Sequence, residues 1–161
     1  KEGFPSADSL RETLHGRIAN ATTPLMHAAR MGRIGYIGDL LSRSADPREM
    51  NADGNGALWF ACYADSAPCA NALIKAGAPL DSQNVNGATA LIYAASAGKT
   101  AIVKLLLDAG ADTTLETLDG FTALELAANR ACMKLLRAAC RPHEQGAGAP
   151  RSGDATGREC A

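Results

Sequence analysis

The chain has 161 residues, 47% of them hydrophobic but only 4% aromatic; alanine supplies much of the apolar share, which suits closely packed helices better than a β-sandwich. Its 16 basic and 17 acidic residues leave a formal net charge of −1, without the basic excess that binding a nucleic-acid backbone requires. The longest strongly apolar run, Ala57 to Ala64, is too short to span a bilayer, so membrane insertion is not expected.

In chain order, the first predicted element is a helix within residues 1–19. Leu10, Leu14 and Ile18 recur every four residues, and Asp8 stands where an N-cap would. It reads as a capping helix over the start of a repeat that governs residues 20–140. Gly54, Gly87 and Gly120 are spaced by 33 residues, and Asp53, Asn86 and Asp119 keep the same step. Leu25, Leu58, Leu91 and Leu124 keep it four times, as do Ala28, Ala61, Ala94 and Ala127. The units are about 20–52, 53–85, 86–118 and 119–140.

Each unit predicts a turn followed by two short helices. Thr23-Pro24 supplies an N-cap followed by proline at the first helical position, and Thr89 and Thr122 repeat the cap. Gly77 and Gly110 are placed to stop the second helices. Asp53-Gly54, Asn86-Gly87 and Asp119-Gly120 are turn dipeptides at hairpin tips. Residues 141–161 are Gly, Ala, Pro and charge without apolar period, a composition expected to give a flexible tail.

The segments Thr23-Pro24-Leu25-Met26-His27-Ala28-Ala29, Asn86-Gly87-Ala88-Thr89-Ala90-Leu91 and Ile102 to Asp112 resemble the ankyrin repeat. The resemblance implies an all-α fold: a solenoid of stacked helix–turn–helix units with hairpin tips, built for binding proteins. The departures are expected to matter. Ser44 stands at a C-cap glycine position, Gly56-Ala57 replaces Thr-Pro, and Asp65 replaces the glycine between two helices. In the fourth unit Ala128 to Leu135 spans seven residues where Ala95 to Leu105 spans ten, which predicts an interhelical loop three residues short and a terminal cap.

No residue set points to catalysis. His15, His27 and His143 are scattered, and His27 shares its repeat position with Phe60, Tyr93 and Leu126, as a partly buried packing residue would. Cys62, Cys69, Cys132, Cys140 and Cys160 are odd in number and lack a CxxC pair, so they read as reduced structural thiols. This favours a cytoplasmic setting, with a removed N-terminal signal left open. No enzyme activity, cofactor or metal is expected. Trp59 shares its repeat slot with Met26, Ile92 and Glu125, a mixed company that suggests a partly exposed helix face, with core packing expected ahead of recognition.

The resemblance places a binding face on the hairpin tips and the exposed side of the first helices. The candidates from the tips are Asp53, Asn55, Val85, Asn86, Leu118, Asp119 and Phe121. Those assigned to the first helices are Arg30, Met31, Tyr63 and Arg130. Apolar and aromatic side chains ringed by polar ones have the composition of a binding hot spot. The expected function is a monomeric, non-enzymatic scaffold or adaptor docking another protein on its concave face. The alternative is an inhibitor or immunity-type protein that blocks a partner enzyme.

Overall fold

A computed structural model describes residues 19–140. The expected N-terminal capping helix, apart from Ala19, and the expected C-terminal tail lie outside the described residues. After a 3-10 turn at Ala19–Ala21 come α1 (Pro24–Arg30), α2 (Ile34–Ser42), α3 (Ala57–Tyr63), α4 (Ala67–Lys75), α5 (Ala90–Ser96), α6 (Thr100–Asp108) and α7 (Arg130–Ala139). The helices form two layers. In one, α1 packs on α3 and α3 on α5; in the other, α2, α4, α6 and α7 stack in order.

The repeat positions explain the stack. Leu25, Leu58 and Leu91 are buried, as are Ala28, Ala61 and Ala94 one turn on. Alanine at this slot lets neighbouring first helices approach closely. The second helices bury residues three and four apart, such as Ile102, Val103 and Leu106 of α6. Thr23 and Thr89 cap α1 and α5 by accepting the backbone N–H groups of Met26 and Ile92. Gly56, at the same position of α3, offers no side-chain cap.

The hairpin tips form a ladder. The N–H of Ala52 donates to the carbonyl of Asn20, that of Val85 to Asp53 and that of Leu118 to Asn86. Inside each tip an asparagine braces the turn. The Asn51 Oδ1 accepts the N–H groups of Asp53 and Asn55, and the Asn84 Oδ1 accepts those of Asn86 and Ala88. The turn also demands glycine. Gly87 has φ +74°, and a Cβ there would sit 2.7 Å from the Leu118 nitrogen.

The fourth unit departs from the expectation. Its three missing residues come out of the first helix and not out of the interhelical loop. Residues 123–126 form a single turn, with the Leu126 N–H reaching the Thr122 carbonyl at 3.2 Å. A seven-residue helix shortened by three retains no more than the costly first turn. The loop keeps its length: Ala127, Ala128 and Asn129 precede α7 as Ala97, Gly98 and Lys99 precede α6. His27 also departs from its reading: it is exposed. Trp59 is half-buried, between the core and the surface.

Candidate functional site

The candidate residues fall into two rows. The tip row comprises Asp53, Val85, Asn86, Leu118, Asp119 and Phe121, all exposed. Leu118 is 80% exposed and Val85 60%, large values for aliphatic side chains held on a braced backbone. The inter-tip hydrogen bonds set Val85 beside Asp53 and Leu118 beside Asn86. Asn55 does not belong to this row. It is 9% exposed, and its Oδ1 accepts a hydrogen bond from the Asn84 Nδ2 at 3.0 Å. The side chain is consumed in joining one tip to the next, and a buried amide without that partner would be costly.

The helix row is built around Tyr63, at the C-terminal end of α3 and 47% exposed. Its ring stacks against Trp59 at 5.9 Å between centroids and against Tyr93 of α5 at 6.1 Å. Trp59 and Tyr93 are 4.8 Å apart. Spacings of this kind give aromatic pairs an attraction beyond burial. The Arg30 guanidinium carbon lies 5.9 Å from the Tyr63 ring centroid. Met31 is exposed just beyond α1. The repeat position of Trp59 favours packing over recognition on a partly exposed face, and its ring is central to this cluster. The signal available in the sequence was the coincidence of three aromatics, Trp59, Tyr63 and Tyr93, on successive first helices.

Arg130 is exposed but is not on a first helix. The shortened fourth unit shifts the register, so Asn129 caps α7 by accepting the Cys132 N–H, and Arg130 opens that second-layer helix. The Asn129 Nδ2 donates to the Gly98 carbonyl at 2.8 Å. That contact brings the start of α7 against the loop holding Lys99, whose Nζ donates to the Tyr63 carbonyl oxygen at 3.3 Å.

The titratable groups nearby do not resemble a catalytic centre. Burial pushes the Cys62 thiol up to about 12, opposed in part by Lys99 and reinforced by Asp65. A buried thiol held protonated is a packing group and a poor nucleophile. Tyr93 is held above the usual phenol range, first by desolvation and then by the neighbouring Tyr63. Cys69 and Cys132 are buried as well, and Cys160 lies outside the described residues. Among the described residues no group of three or more His, Cys, Asp or Glu side chains is arranged to hold a metal ion. No helix among them is long and apolar enough to cross a membrane.

Comparison with known proteins agrees with the geometry. A family model described as ankyrin repeats (3 copies) matches residues 25–117 and 58–145. This chain belongs to the ankyrin-repeat family. Such repeats are protein–protein interaction modules, generally without catalysis. Among curated proteins the chain is similar to neurogenic locus notch homolog protein 1. It is 36% identical over 70 residues to the protein of Danio rerio and 37% identical over 70 residues to those of Mus musculus and Homo sapiens. The alignments cover 44% of this chain and 3% of each relative, so the likeness is one of repeat unit and not of whole protein.

Proposed function

We propose that this ankyrin-repeat chain is a preorganised docking surface, an adaptor or scaffold that seats a partner protein across its tips and first helices. The observation that carries the reading is the run of exposed apolar side chains on successive units: Tyr63, Val85, Leu118 and Phe121. Each is held by a fixed backbone, so little conformational entropy is lost on docking. Exposed aromatics at such positions are the residue types that dominate binding energy in protein interfaces.

The test begins with affinity capture and mass spectrometry to find a partner, followed by titration of variants. Truncating a true anchor costs about 2 kcal/mol, roughly thirtyfold in affinity. Leu118→Ala is the cleanest variant, because removing so exposed a side chain should change folding by under about 0.5 kcal/mol. Tyr63→Ala should weaken binding and also cost the fold about 1 kcal/mol through its ring contacts. A partner that binds all of Tyr63→Ala, Leu118→Ala and Phe121→Ala like wild type uses another surface.

A further inference from the structure

The charges along the helix row are segregated from those along the tips. A chain of contacts runs across the first three units: Arg30 over the Tyr63 ring and Lys99 on the Tyr63 carbonyl. It gathers two cations around one aromatic cluster. Asp65, in the loop after α3, is the acid close enough to act on Cys62 and Tyr93. Among the described residues the ion pair is Lys104–Asp108, on α6, so Arg30 and Lys99 are not neutralised by a carboxylate contact. The tips carry the opposite sign, with Asp53 and Asp119 exposed. A chain of net charge −1 therefore presents a locally cationic aromatic surface beside an acidic edge.

Resting on the docking function proposed above, we infer that the segment bound along the helix row is an acidic peptide carrying one aliphatic or aromatic anchor. The anchor seats on Tyr63 and the adjoining faces of Trp59 and Tyr93, and its carboxylates meet Arg30 on one side and Lys99 on the other. Arginine pairs with a carboxylate through two parallel N–H donors. Complementary charge on both flanks accelerates encounter, and the acidic tips repel the peptide if it docks displaced towards them.

The experiment pans a phage-displayed random dodecapeptide library on the full chain at low salt. Enriched peptides are then titrated by fluorescence anisotropy against wild type, Tyr63→Ala and the pair Arg30→Glu with Lys99→Glu. Circular dichroism melts check folding, and Arg30→Gln with Lys99→Gln serves if the reversed pair melts early. The inference expects acid-rich sequences around a Leu, Phe or Trp, with affinity falling about tenfold or more in both variants and declining with salt. Neutral or basic sequences, or a failure to enrich any peptide, would overturn it. Peptides weakened by Tyr63→Ala but indifferent to loss of the two cations would overturn the acidic preference and leave the docking face standing. Peptides indifferent to every variant would remove the helix row from the docking face as well.

Discussion

The third and fourth units carry nearly the same signature residues and do different things with them. In the third, Ala90, Leu91, Ile92, Ala94 and Ala95 are all buried within α5. In the fourth, Ala123 alone of the matching positions is buried; Leu124 and Ala127 are half-covered, and Glu125 and Ala128 face water. Thr122 still makes its cap, with Glu125 reaching back to its N–H and hydroxyl, yet the helix it should start is one turn long. A capping box therefore does not make a helix when too few residues remain to propagate it. The second helix survives because its support is tertiary. Cys132 and Leu136 are buried, and the Ala128 N–H takes the Ala95 carbonyl across the interface.

The largest effect that tests this contrast is truncation of the shared leucine. Leu91→Ala should cost about 2–5 kcal/mol, the range for a buried leucine, while Leu124→Ala should cost clearly less. Denaturant midpoints of the two variants decide, and equal losses would mean that the fourth unit is packed like the third. Next comes the tip glycine. Gly87→Ala combines positive φ with a Cβ 2.7 Å from the Leu118 nitrogen, and should cost more than about 2 kcal/mol. At Gly120, φ +80°, the nearest atom would be the Glu116 Oε2 at 4.0 Å, so alanine there should cost about 1 kcal/mol, the conformational part alone.

A smaller effect concerns positions where a unit has lost its family residue. Ser44 ends α2 at φ +66°, the slot that glycine holds as Gly77 and Gly110. Ser44→Gly should raise stability by a few tenths to about 1 kcal/mol, the relieved strain less the chain entropy of glycine. Thermal melts would show it, and a fall would mean that the serine side chain supports its turn.

The smallest effect is read from thiols. Under native conditions Cys132 should react as slowly as Cys62, and Cys140, at the edge of α7, faster; Cys132 reacting at the rate of Cys140 would mean that the fourth unit opens on its own. Cys62 also gives a pH signature. Its folded-state value is raised above 9.0, so the unfolded chain loses that proton first. The associated stability is complete below pH 9 and is lost as pH rises towards about 12. Cys62→Ala, which restores the residue found at Ala29 and Ala95, should flatten that part of the profile.

The fold was legible because stacking repeats one requirement many times. Leucine and alanine recur at 33-residue steps, and burial tracks them through the first three units. The site was only partly legible. Tyr63, Val85, Leu118 and Phe121 are exposed as their repeat positions imply. Asn55 escapes such reasoning because a short amide at a tip looks the same in sequence whether it faces water or bridges to Asn84. Arg130 escapes it because a three-residue deletion can be taken from a loop or from a helix, and the choice depends on what α6 will hold in place.

The ladder of tips has a direction. Each tip gives an N–H backwards and offers a carbonyl forwards, so Asn20, Asp53 and Asn86 are each answered by the next unit, and Asp119 is left with its carbonyl open among the described residues. The open space over Gly120 marks the same end. Growth is therefore one-way and modular. A second copy of residues 86–118 spliced in after Leu118 would receive and pass on the same pair of bonds, and the array would lengthen without any existing contact being redrawn.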